Sequence, residues 1–183
     1  MRSRAVRRDI AKLGVLETPR HLSAIGALDM QEAGSVIPQL LLDERFRLFA
    51  SGIFGTEVVP YADHHENVAV VILHEFGDHH GGHCDDFYGV INIAVSMPDE
   101  EAGGVLHYAP RATTREALEE SRSFLPLQPG DAYAMESGNT VHEVTELFDN
   151  TRERIIVSLS WSLPGQENAP SYSGAPLFGR KTC

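Results

Sequence analysis

Cysteine, positive charge and long apolar runs are scarce in this chain. Its 183 residues contain two cysteines, Cys84 and the C-terminal Cys183, too few for a disulfide framework. No apolar stretch approaches the roughly 20 residues of a membrane span, so no membrane partner is expected. Fifteen basic against 26 acidic side chains leave a net charge of −11. That balance argues against nucleic-acid binding, which rests on Lys and Arg neutralising phosphates. The first twenty residues are the exception, with Arg2, Arg4, Arg7, Arg8, Lys12 and Arg20 against Asp9 and Glu17. No apolar core of the secretory kind follows these arginines, so a cytoplasmic location is expected. What the chain has in excess is histidine. Six of nine (His64, His65, His74, His79, His80 and His83) fall within twenty residues.

The length suits a single domain over 1–183. Residues 1–55 read as helical N-terminal support. Thr18-Pro19 offers an N-cap followed by proline at the first helical position. Pro38 can open a second helix, which Leu42, Phe46 and Phe49 make one-faced and Gly52 or Gly55 ends. From residue 56 the pattern changes to short strands separated by turn residues: 56–61, 67–76, 79–85, 88–97, 104–109, 124–128, 131–136, 141–147 and 153–162. Thr113 with Glu116 reads as the capping box of one intervening helix. The expected fold is mainly β with N-terminal helices: a double-stranded β-helix, or jelly-roll and cupin-like sandwich, over 56–162. Residues 163–183 read as an irregular tail.

Within that sandwich, His83-Cys84-Asp85 on a strand would send His83 and Asp85 to one face and Cys84 to the other. An imidazole and a carboxylate side by side are two of the three protein ligands in the facial triad of non-haem Fe(II) oxygenases. The third must come from a distant strand, and His142, after the turn Gly138-Asn139, is suited to it. Arg154 opens the apolar strand Ile155–Trp161. Burying an arginine there is costly without an anion, and its planar fork suits a bidentate carboxylate.

His83-Cys84-Asp85, Gly103-Gly104-Val105-Leu106, Pro129-Gly130-Asp131, and His142-Glu143-Val144 with Arg154 follow one another in a familiar order. In this the chain resembles the prolyl-hydroxylase-like branch of the Fe(II)/2-oxoglutarate-dependent oxygenases, over roughly 75–162. The resemblance implies that His83, Asp85 and His142 bind Fe(II), and that Arg154 holds the distal carboxylate of the cosubstrate 2-oxoglutarate. It implies further that O₂ completes the iron's coordination and that 2-oxoglutarate leaves as succinate and CO₂ while a C–H bond is oxidised. Arg152, two residues earlier, can take the role of Arg154. Where the family often supplies a tyrosine on the strand 88–96, this chain has Ala94, so Tyr88 or Asn92 is expected to contact the cosubstrate. A halogenase of this class needs a vacant halide position where the carboxylate would sit. With Asp85 present, hydroxylation, desaturation or ring closure is expected instead.

His79 and His80, in a glycine-bounded loop at the mouth of the site, are candidate contacts to a small-molecule substrate such as an amino acid or natural-product intermediate. His64-His65-Glu66 holds a rival metal pair but reads as a loop. Asp86 can orient a ligand histidine. The alternatives are a cupin-type metal-dependent dioxygenase or isomerase that does not use 2-oxoglutarate, and a non-catalytic sensor or interaction protein on the same fold. The oligomeric state, monomer or homodimer, is open.

Overall fold

Apolar alternation organises the chain into strands whose two faces serve different cores. The computed structural model describes residues 4–179, so Arg2 and Cys183 lie outside the described residues. The strands are β1 (Val6–Leu13), β2 (Thr18–Gly26), β3 (Val59–Pro60), β4 (Val68–Leu73), β5 (His79–His83) and β6 (Gly89–Ser96), followed by β7 (Leu106–Pro110), β8 (Ser123–Leu125), β9 (Ala132–Met135), β10 (Thr140–Val144) and β11 (Arg154–Ser162). The helices are α1 (Ala27–Glu32), α2 (Glu44–Phe54), α3 (Arg115–Ser121) and α4 (Gly174–Phe178). No helix among the described residues is long and apolar enough to cross a membrane.

The strands pair antiparallel in the order β8-β7-β10-β5-β2-β4-β11-β6-β9, with β1 on β2 and β3 on β11. The ladder curls so that β5, β7 and β10 face β4, β11, β6 and β9 across a cavity, which is the jelly-roll arrangement. β11 shows why. Ile155, Val157, Leu159 and Trp161 point outward against a cluster that includes Ile25, Met30, Leu41, Ala50, Val68 and Val70. Arg154, Ile156, Ser158 and Ser160 point inward and line the cavity. Helices α1 and α2 therefore cover the outside of one sheet layer, where each fully buried Leu or Val contributes roughly 1.5–3 kcal/mol. The inner face is left free for a site.

Each strand expected from residue 56 onward is present, some shortened. The N-terminal third differs. Residues 6–13 are strand, and the helix expected at Thr18-Pro19 is β2. The Thr18 hydroxyl donates to the Gly82 carbonyl at 2.7 Å, so it ties β2 to β5 instead of capping a helix. Leu22 and Ala24 enter one core and Ile25 the other, which demands period two. Pro38 opens only a 3₁₀ segment, Ile37–Leu42. Asp43 then caps α2 by accepting from the Arg45 amide at 2.8 Å, and Gly55 ends it at φ 67°. Thr114, not Thr113, precedes α3, and no side chain caps it. The tail is not wholly irregular, since it forms α4.

Candidate metal centre

The β5–β10 ladder sets His83 directly opposite His142, with ring centroids 4.2 Å apart. Each imidazole is fixed from behind. His83 Nδ1 lies 2.8 Å from the Gly81 carbonyl, and His142 Nδ1 lies 2.9 Å from the Thr140 carbonyl. A neutral ring donating through Nδ1 leaves Nε2 as a lone pair for a metal. Burial holds the His83 pKa well below its ordinary value, with His142, His80 and Arg20 adding to the effect, so this ring is neutral.

Asp85 lies just past the end of β5, so the alternation that predicted its side is not what places it. Its amide instead donates to the Ser137 carbonyl at 3.1 Å, which turns the carboxylate back toward the histidines. Asp85 Oδ1 is 3.5 Å from His83 Nε2 and 3.9 Å from His142 Nε2. All three donor atoms fall within 4.8 Å of one another. Donors about 2.1 Å from a divalent ion stand ~3–4 Å apart, so this trio can hold one. Two imidazoles and one carboxylate suit non-haem Fe(II) and leave further positions open.

Deeper in the cavity Arg154 is 2% exposed, and its Nε has no hydrogen-bond partner. Burial lowers its pKa, partly offset by the neighbouring Tyr133 hydroxyl. Asn92, directly across the ladder from Tyr133, also faces in, with Oδ1 unpartnered. A buried guanidinium with an unpartnered Nε, beside a phenol and an amide, is a cradle for a carboxylate.

Other expected residues lie elsewhere. Arg152 precedes β11, its side chain is 60% exposed, and it approaches Asp99 at 3.9 Å on the surface. Tyr88 packs edge-on against Phe54 at 5.5 Å on the helix-covered side, outside the cavity. His79 turns away, with Nδ1 2.8 Å from the Gly77 carbonyl and its ring 4.8 Å from His21. His80 does enter the cavity, stacked on His83 at 4.2 Å with Nε2 unpartnered. Asp86 orients no histidine; it accepts the Tyr172 and Ser173 amides at 2.7 and 3.2 Å. His64 and His65 sit in a turn with Asp63, whose Oδ1 is 3.0 Å from His65 Nδ1.

Two lining residues, Tyr133 and Arg20, escaped the sequence reading, and a third, Glu66, was read only as half of a rival metal pair with His64. Arg20 is 1% exposed on β2, opposite His80, and burial lowers its pKa to about 10, with Asp85 opposing. The argument applied to Arg154, a lone arginine in an apolar strand, would have found it had 18–26 been read as a strand.

Glu66 is buried, and burial pushes its carboxyl up to about 8, with Asp85 and Asp86 adding to the rise and the Ser171 and Ser173 hydroxyls opposing it. The unfolded chain ionises it near 4.5, so between the two values the folded state holds the extra proton. Stability of the metal-free protein should therefore fall as pH rises through that window. Glu66→Gln should remove a loss on the order of 5 kcal/mol and raise the melting temperature at about pH 9, with little change at about pH 5. Melting curves of both proteins at the two pH values check this.

The Halogenase D family model matches residues 1–172. No curated protein matches the sequence significantly. Among solved structures, the chain is similar to the non-heme alpha ketoglutarate dependent epimerase SnoN from nogalamycin biosynthesis. The identity is 15% and the TM-score 0.58; the match covers 86% of this chain but only 65% of SnoN. It is also similar to a 2OG-Fe(II) oxygenase family oxidoreductase from Burkholderia pseudomallei, at 16% identity over 93% of this chain and 76% of that one, TM-score 0.60. A Pseudomonas putida prolyl-4-hydroxylase is similar at 13% identity over 80% and 74%, TM-score 0.54. SnoN has been crystallised with Fe3+, alpha ketoglutarate and nogalamycin RO. These likenesses show a shared fold, that of the Fe(II)/2-oxoglutarate oxygenases, and the match along residues 1–172 shows that the chain belongs to the Halogenase D family.

Proposed function

We propose that this protein is an Fe(II)/2-oxoglutarate-dependent dioxygenase that hydroxylates an unactivated C–H bond of a small molecule, such as an amino acid or natural-product intermediate. One observation carries the reading. His83, Asp85 and His142 converge on a cavity that also holds the buried Arg154, whose Nε has no partner. The triad would hold iron. Arg154, helped by Tyr133 and Asn92, would hold the distal carboxylate of 2-oxoglutarate. Bound iron would supply, with O₂ and 2-oxoglutarate, the oxidising power the side chains lack.

The side chains themselves orient and shield. The Gly81 and Thr140 carbonyls fix the ligand tautomers. Ile156, Val71 and Leu106 form an apolar wall that keeps water from the deeper cavity. Arg20, a second buried guanidinium with Nε unpaired, faces the same space and favours a substrate that carries a carboxylate of its own, as an amino acid does.

The family's description speaks of halogenation, and Asp85 speaks against it here. Its carboxylate occupies the position that a halide would need, so oxygen transfer is the expected outcome. Incubation with Fe(II), 2-oxoglutarate, chloride and a metabolite pool in air should form succinate and a product that gains one oxygen atom. A product that gains chlorine would overturn the hydroxylase assignment. An unchanged mass with inverted configuration would move the activity toward that of an epimerase. No succinate and no binding of 2-oxoglutarate would sink the whole reading.

A further inference from the structure

The last described residues form one wall of the cavity. Ser173, Leu177 and Phe178 line it beside Glu66 and His80, and Leu177 is buried with Leu22, Val71 and Leu73. The segment 171–179 contributes no strand to the sheet, so hydrogen bonds and side-chain packing alone hold it there.

Two latches do so. At the near end the Asp86 carboxylate accepts the Tyr172 and Ser173 amides, and the Ser173 hydroxyl sits between Asp86 Oδ2 at 3.1 Å and Glu66 Oε2 at 3.2 Å. At the far end the latch is Arg8, on β1. Its Nε donates to the Leu177 carbonyl at 2.7 Å, and its terminal nitrogen donates to the Gly179 carbonyl. Arg8 is 9% exposed and lies outside the cavity. The arginine fork joins β1 to two main-chain carbonyls of the segment. It serves the segment that it grips.

Gly26, at the end of β2, makes room for the grip. A Cβ there would stand 2.7 Å from the Phe178 carbonyl oxygen and 2.8 Å from that of His65. Its φ of −87° is open to any residue, so space and not backbone conformation calls for glycine.

We propose that residues 171–179 are a detachable wall of the substrate cavity, and that Arg8 is the positioning residue that holds it shut. Strand β1, which contributes no residue to the cavity, gains a role here. Opening would release Leu177 and Phe178 together and bare the cavity beside Glu66 and His80. The inference rests on the proposed function only in taking this cavity as the substrate's, and its test needs no turnover.

The test is hydrogen exchange by mass spectrometry on the full chain, with diethyl pyrocarbonate modification of His80 alongside. In Arg8→Ala, peptides covering 172–179 should exchange roughly 10-fold faster or more, as loss of two hydrogen bonds implies, while β4 and β11 peptides keep their rates. His80, shielded behind the wall, should react several-fold faster. Arg8→Lys, which keeps a donor, should recover part of the protection. Gly26→Ala displaces the segment from the other side without touching Arg8 and should reproduce both effects if Arg8→Ala fails to fold. Unchanged exchange at 172–179 in both variants would overturn the latch. Equal acceleration in β4 and β11 would overturn the idea of a separate wall. An opened segment with unreactive His80 would show that it does not cover the cavity. Each result stands whether or not the protein turns over 2-oxoglutarate.

Discussion

Replacing Asp85 with alanine should abolish 2-oxoglutarate-dependent oxidation while the protein still folds. The two halves of that expectation have separate causes. The loop that carries Asp85 is held by its main chain, through the hydrogen bond that its amide donates to the Ser137 carbonyl, and β5 and β10 are paired through their backbones. Neither depends on the carboxylate. Its removal does strip Arg20 of the acidic neighbour that opposes the effect of burial on that guanidinium, but Arg20 keeps its bonds to the Thr18 hydroxyl and to the Thr18 and Pro19 carbonyls. Metal binding has no such redundancy. Asp85 is the one anionic donor in the trio, and two neutral imidazoles hold a divalent ion far less well. Loss of an outer-shell partner alone weakens metal sites roughly 10–100-fold, so loss of the ligand should exceed ~100-fold. Titration with Mn(II) followed by calorimetry, beside succinate formation with Fe(II), separates binding from turnover. Unchanged turnover in a folded variant would refute Asp85 as a ligand.

How far the sequence foretold this site depends on which forces set each residue. His83, Asp85 and His142 were legible because few arrangements other than a metal site call for two imidazoles and a carboxylate beside turn residues. Arg154 was legible because an arginine in Ile-Ile-Val-Ser-Leu needs a buried anion. Tyr133 was not, although its strand was expected. Which strand lies beside β6 is a matter of long-range pairing, and the tyrosine was sought on the strand of Asn92, whereas Tyr133 meets Asn92 from the neighbouring β9. β1 and β2 were misread for a related reason. Thr18-Pro19 carries a local helix-start signal, but β2 is fixed by its partners β1, β4 and β5, and tertiary pairing overrides the cap. Arg8 was lost with β1 and Arg20 with β2. The C-terminal wall left no periodic trace at all, since isolated bonds to Arg8 and Asp86 hold it.

Arg154 and Arg152 are two residues apart, and their replacement should have opposite consequences. Arg154→Ala should raise the 2-oxoglutarate requirement roughly 30-fold or more, because removing one partner of a buried, hydrogen-bonded charge pair costs about 2–5 kcal/mol. Arg152→Ala should shift it less than about 2-fold, because Arg152 stands on the surface in a weak exposed pair with Asp99 and does not line the cavity. Arg154→Lys keeps the charge but loses the fork, and should fall between them. A fold defect would mimic the first result, so the unliganded protein supplies the control. There Arg154 is a buried cation whose Nε lacks a partner, and a buried charge without its counter-ion is destabilising. Arg154→Met fills similar space without the charge, so it should melt no lower than the wild type when 2-oxoglutarate is absent. With Mn(II) present, added 2-oxoglutarate should then raise the melting temperature of the wild type and of Arg152→Ala by mass action, but not that of Arg154→Met. Stability retained with the ligand response lost identifies a binding group; stability lost along with it would make Arg154 structural. If Arg152→Ala were the variant that lost the response, the anchor would be Arg152, despite its place on the surface.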